Sequence, residues 1–235
     1  MTATTPSPAG RTRPPALDAR TLCEAFQITA AAAPDRVALR TRGDAVAITF
    51  GEYRERVRRL AAGLHALGVR RGDTVGFMLT NRPEFHLLDT AAMHLGATPF
   101  SIYNTSSVEQ IAYLLSDAAC SVVIVEPAFA PQMAQAAAET GTVTHTILLD
   151  EDRQDTIGLA ELETRGTEDP SFDFEASWRA VSPEDVLTLI YTSGTTGPPK
   201  GVQLTHANEL AQCRGLEQAN HWRQGGSVIS FLPNA

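Results

Sequence analysis

VGFML (residues 75–79), PEFHLLDTAAMHLG (83–96) and TPFSIY (98–103) follow one another in this 235-residue chain, and their reading decides its fold. The first and third runs are short and strand-like. The middle run is helical. Pro83 stands at the first helical position, where a missing N–H costs nothing, and Gly96 suits the residue after the end. Strand, helix, strand at this spacing predicts a parallel crossover. The rhythm continues downstream: SVEQ at 107–110 has the capping-box pattern and opens a helix, 121–125 is a strand, 130–139 a helix and 144–149 a strand. These runs predict an α/β fold, an open and mostly parallel sheet with helices on both faces.

Upstream, Leu22, Ala25, Phe26, Ala30 and Ala33 recur at helical spacing until Pro34. Strand-like runs at 37–39 and 46–49 flank Gly43-Asp44 and predict a hairpin. TFGE at 49–52 is a second capping box. The helix behind it carries Tyr53, Val57, Leu60, Ala61 and Leu64 on one face, keeps its arginines on a solvated face, and closes at Gly68. Both Arg-Gly-Asp triplets, at 42–44 and 71–73, fall on expected turns and are read as turns rather than adhesion motifs.

Composition narrows the class. Apolar residues at 43% and charged residues at 20% are those of a folded globular chain. A net charge of -8 argues against nucleic acid or an anionic membrane as partner. Cys23, Cys120 and Cys213 lack paired spacing, so neither a disulfide framework nor a zinc site is expected, only buried thiols. No apolar run approaches the roughly 20 residues of a membrane span, and no secretory leader follows Met1, so the chain is read as cytoplasmic. The organisation expected is a tail over 1–20, a first α/β subdomain over 21–150, and a solvated acidic linker over 151–185 that Trp178 anchors. The start of a second subdomain follows over 186–235, with 187–191 and 228–232 opening a second sheet.

The chemistry lies at 186–201. VLTLIY is a dense strand, and it feeds TSGTTGPPKG at 192–201. Glycines turn N–H groups toward an anion, the hydroxyls of Thr192, Ser193, Thr195 and Thr196 add donors, and Lys200 supplies the charge. Lys200 is the only lysine in the chain, against 18 arginines. Together these describe a polyphosphate cradle rather than a flexible linker. A Walker loop is excluded, because Pro199 replaces its second glycine, Gly201 replaces its hydroxyl residue, and a strand over 202–204 follows instead of a helix. Thr205 then caps a helix, at whose start His206 is read as a packing residue.

YTSGTTGPPKGV at 191–202 resembles the signature loop of the adenylate-forming superfamily, which includes acyl-CoA synthetases, luciferases and peptide-synthetase adenylation domains. The resemblance runs from Leu22 onward, through TFGEY at 49–53, GDTV at 72–75 and NRPE at 81–84. GATP at 96–99, YNTSS at 103–107 and QIAY at 110–113 are similar to the long-chain acyl branch, the fatty-acid–CoA ligases. What the resemblance implies is a two-step reaction in which a carboxylate attacks ATP, pyrophosphate leaves, and CoA captures the acyl adenylate. Thr192, Ser193, Gly194, Thr195, Thr196, Gly197 and Lys200 would hold the ATP phosphates, with Thr195 positioning Mg2+. No catalytic acid or base is assigned. The resemblance also implies that the fold is incomplete relative to the family and that the CoA and acyl sites lie mostly outside this chain. The expected partners are ATP, fatty acid and CoA, and either a second polypeptide completes the ligase or the chain is an inactive, nucleotide-binding remnant.

Overall fold

The computed structural model describes residues 13–151, 153–168, 170–192, 197–219 and 225–230. Helix α1 (Leu22–Ala32) starts where Thr21 accepts a bond from the Glu24 N–H at 3.2 Å. Strands β1 (Val37–Arg40) and β2 (Ala47–Thr49) form the expected antiparallel hairpin, and its turn places Gly43 at φ 71° and Asp44 at φ 56°. Helix α2 (Phe50–Ala66) opens on the reciprocal cap: the Glu52 N–H donates to the Thr49 hydroxyl at 3.2 Å, and the Thr49 N–H to the Glu52 carboxylate at 2.7 Å.

The parallel core follows in the order read from the sequence: β3 (Thr74–Met78), α3 (Pro83–His94), β4 (Thr98–Ser101), α4 (Val108–Asp117), β5 (Val122–Val125), α5 (Ala130–Thr140) and β6 (His145–Leu148). Beyond β6 come β7 (Ile157–Gly158), α6 (Leu159–Glu168), α7 (Phe174–Arg179), β8 (Val186–Thr192), β9 (Lys200–Thr205) and α8 (His206–Ala219). The strand order is β7-β6-β5-β3-β4-β8-β9, parallel except for the antiparallel β8–β9 pair. Val122 and Ile124 enter one core with α2, α3 and α6, whereas Val123 and Val125 enter the other with α4 and α5. Burial on both faces is why these strands read as continuous apolar runs.

Four expectations are corrected. The segment over 151–185 is not a solvated linker: β7, α6 and α7 lie in it, and Leu162, Phe174, Trp178 and Val181 are buried. Helix α6 lies directly on α2, because both surfaces drop to glycine at the crossing. A Cβ on Gly63 would sit 2.2 Å from the Leu162 carbonyl oxygen, and one on Gly166 2.0 Å from that of Arg59. Glu163 then pairs with Arg56 at 2.8 Å and Arg59 at 2.9 Å, so part of the expected solvated face of α2 is an interhelix contact. Helical periodicity is faint in α6, since only Leu162 and Gly166 of it are buried. Trp178 is buried in α7, with the Arg179 guanidinium 4.3 Å over its ring.

The strand expected to open a second sheet extends the first. β8 pairs in parallel with β4 through Phe100 and Leu189, and β9 folds back along β8. Residues 226–230 carry no strand, and 231–232 lie outside the described residues. Cys23 and Cys120 are buried as expected, but Cys213 is exposed on the outer face of α8.

His94 is fully buried between two arms of a polar chain. The Arg54 Nε donates to the Gln27 Oε1 at 2.6 Å, so the Gln27 amide donates to His94 Nε2 at 3.1 Å and His94 Nδ1 donates to the Thr90 carbonyl at 2.7 Å. Burial, ahead of the charges of His206 and Arg54, pushes the His94 pKa down to about 4. With the unfolded value near 6.5, its contribution is complete above about pH 6.5 and is lost as pH falls toward 4, by on the order of 3 kcal/mol. His94→Gln should flatten this acid limb in urea titrations taken between those pH values. Gly166→Ala is expected to lower stability by about 1–3 kcal/mol by forcing α6 off α2. Gly215→Ala, in α8 with nothing within 4 Å of its added Cβ, should raise it by about 0.5–1 kcal/mol in the same measurement.

Candidate functional site

The β8–β9 hairpin carries at its tip the loop expected to bind phosphate. Thr192 ends β8, Lys200 begins β9, and the two are cross-strand partners. Directly opposed residues hold their Cβ atoms about 5 Å apart, so a hydroxyl and the single ammonium of the chain share one mouth. Gly197 lies on the returning arm at φ 99°, a conformation that side chains resist. Ser193, Gly194, Thr195 and Thr196 lie outside the described residues. Lys200 is exposed and makes no ion pair among the described residues, unlike Arg54, Arg71 and Arg82 elsewhere in the chain.

Both ends of the loop are tied to α4. The Tyr113 hydroxyl donates to the carbonyl of Pro199, next to Lys200, at 3.0 Å. The Tyr191 hydroxyl, next to Thr192, donates to the Asp117 carboxylate at 2.9 Å. Burial and the Asp117 charge raise the Tyr191 pKa, which keeps the phenol a donor. The Tyr191 ring packs edge-on against Phe100, and a Cβ on Gly201 would be 3.3 Å from the ring. Gly201 therefore serves close packing of the hairpin. Tyr113 and Asp117 were missed as supports of the loop. Their four-residue spacing puts them on one face of a helix, but nothing local says that a hairpin more than seventy residues later lies against that face.

His206 holds the other end of the hairpin. It is 1% exposed, its Nδ1 accepts the Leu22 N–H at 3.2 Å, and burial pushes its pKa down to about 4. It is a packing residue, as expected. Thr205 accepts from the Asn208 N–H at 3.2 Å and so caps α8. The residue types fit a triphosphate: among the described residues Thr192 and the unpaired Lys200 face each other across the hairpin, and the carboxylate in the immediate support, Asp117, is occupied by Tyr191. Because a strand follows Lys200, the loop is a hairpin tip and not a Walker loop.

A family model described as AMP-binding enzyme matches residues 26–235. An uncharacterized protein of Mycobacterium tuberculosis is 56% identical over 106 residues, which are 45% of this chain and 61% of that protein. The long-chain-fatty-acid–CoA ligase FadD15 of Mycobacterium bovis is 33% identical over 192 residues, 80% of this chain and 32% of that protein. The solved long-chain-fatty-acid–CoA ligase FadD1 of Archaeoglobus fulgidus superposes with a TM-score of 0.74 at 25% identity, covering 87% of this chain and 40% of that one. The chain thus spans less than two thirds of the length of these relatives.

Removing the Tyr113 hydroxyl should free Lys200. Tyr113→Phe is expected to speed acylation of Lys200 by an amine-reactive reagent about fivefold relative to the amino terminus, the equivalent of about 1 kcal/mol. The reagent reads only these two amines, because Lys200 is the sole lysine. An unchanged ratio by mass spectrometry would show that the Tyr113 bond does not order Lys200.

Proposed function

We propose that this chain, which belongs to the AMP-binding enzyme family, is the phosphate-binding amino-terminal portion of an ATP-dependent fatty-acid–CoA ligase. The observation that carries the reading is the Thr192–Lys200 pair at the hairpin mouth, with Lys200 in no ion pair among the described residues and both loop ends anchored to α4. Similarity to fatty-acid–CoA ligases along most of the chain supports the substrate class.

In this reading the β- and γ-phosphates of ATP lie against the N–H groups and hydroxyls of 192–197, with Lys200 countering the charge that builds on departing pyrophosphate. Thr195 helps position the Mg2+ ion, which neutralises phosphate oxygens when bound. The loop acts by fixed donors and charge, and none of its residues takes a proton. A fatty acid is activated at the α-phosphate, and CoA receives the acyl group. The residues that contact acyl chain and CoA are supplied by further polypeptide, consistent with the exposed apolar Ile190 and Val202 on the hairpin. Among the described residues no helix is long and apolar enough to cross a membrane, and the cytoplasm is the compartment proposed.

Millimolar ATP with Mg2+ should slow modification of Lys200 severalfold and leave the amino terminus unaffected, as occupancy well above Kd predicts. AMP, which lacks the β- and γ-phosphates, should protect far less. Equal labelling of Lys200 with and without ATP would sink the phosphate assignment.

A further inference from the structure

Strand β8 overhangs the sheet that carries it. Phe100 opposite Leu189 is the one register pair between β4 and β8, and β8 runs on through Ile190, Tyr191 and Thr192, paired among the described residues only to β9. The mouth formed by Thr192 and Lys200 therefore stands beyond the support of the sheet. A two-stranded ribbon is marginal by itself, and a phosphate site needs its donors and charge held in place before the ligand arrives.

Helix α4 meets the overhang at two points, one on each arm. The Tyr113 hydroxyl donates to the Pro199 carbonyl on the returning arm at 3.0 Å, and Asp117 accepts the Tyr191 hydroxyl of the outgoing arm at 2.9 Å. One tie would leave the mouth free to pivot; two fix its direction. The Tyr191 ring is held as well, edge-on against Phe100 with centroids 5.8 Å apart and with Gly201 packed close against it.

Asp117 does not serve its own helix. It is the last residue of α4, where the open carbonyls make a negative charge unfavourable, and no basic residue accompanies it in that turn. It is exposed, and its hydrogen bond among the described residues is the one to Tyr191. A carboxylate set against the helix dipole and committed to a neighbouring hairpin serves position rather than helix stability.

We infer that Tyr113 and Asp117 form one positioning device for polyphosphate, acting through Pro199 and Tyr191 to hold Lys200 and Thr192 in a fixed direction. This role rests on the phosphate assignment proposed above. Because either tie alone is a pivot, loss of one releases the mouth and loss of the second adds little.

Protection of Lys200 in the full chain tests the device, read as the concentration of ATP with Mg2+ that halves acylation of Lys200 relative to the same variant without nucleotide. Tyr113→Phe and Asp117→Ala should each raise that concentration about fivefold, the effect of about one hydrogen bond. The double variant should stay near about fivefold, where independent contacts would multiply to about twenty-fivefold. Asp117→Asn keeps an acceptor for the Tyr191 hydroxyl and should remain within about twofold of the unaltered chain. The urea midpoints of both Asp117 variants should lie close to that of the unaltered chain, because an exposed bond is lost or kept while an unfavourable helix-end charge is removed. Unchanged protection in both single variants overturns the inference, as does a double variant that multiplies the two effects, or an Asp117→Asn as impaired as Asp117→Ala. In each of these cases ATP still protects the unaltered chain. An unaltered chain that ATP does not protect removes the phosphate assignment and the positioning role with it.

Discussion

The junction between β4 and β8 is the contact on which the candidate site depends. Strand β4 belongs to a sheet closed by consecutive crossovers, whereas β8 arrives some eighty-five residues later and must find its edge. One backbone register, Phe100 opposite Leu189, is reinforced by two side-chain bonds: the Thr98 hydroxyl donates to the Val186 carbonyl at 3.0 Å, and the Thr188 hydroxyl to the Pro99 carbonyl at 2.9 Å. Threonine suits the place, since its branched side chain fits a strand while its hydroxyl reaches the neighbouring backbone. Everything beyond β8 is positioned through this seam. The hairpin and its tip inherit their orientation from β8, and α8 follows β9 without a break.

A second set of bonds makes the sheet a rigid platform for that seam. At the carboxyl ends of the strands Arg82 pairs with Asp150 after β6, Glu126 after β5 and Glu84 in α3, while the Thr80 N–H and hydroxyl both donate to Glu126. A planar guanidinium satisfies several carboxylates at once, which a lysine cannot do. The preference of the chain for arginine thus has a structural use, and it leaves Lys200 as a mobile ammonium in a protein that otherwise employs forks. The ties from α4 complete the arrangement, with Tyr113 and Asp117 holding either end of the loop from one helix face.

The same seam leaves one side of the hairpin uncovered. Ile190 and Val202 are neighbours on β8 and β9 and are nearly half exposed, and Ile190 borders a cavity that Asp89 and Glu209 also line. Two exposed apolar side chains side by side on a strand pair form a surface whose burial would be favourable.

The sequence by itself determined the local elements and the chemistry of the loop. Capping boxes at Thr49 and Ser107, the proline at Pro83 and the closing glycines Gly68 and Gly96 act within a few residues, so they were legible and their helices formed as read. The hydroxyl, glycine and lysine pattern of 192–201 was legible for the same reason: it is contiguous, and its donors and charge can be read without any distant partner. Only the tertiary structure decided what meets across distance. That β8 joins the edge of β4 rather than founding a new sheet depends on an edge left open elsewhere in the chain. That 159–168 is a packed helix depends on Gly166 meeting Gly63, and neither glycine signals the other. That Tyr113 serves the loop depends on where the hairpin lands. Short-range preferences are written residue by residue, whereas the pairing of distant surfaces is settled by the packing of the whole chain, where many registers compete and one excludes the most water.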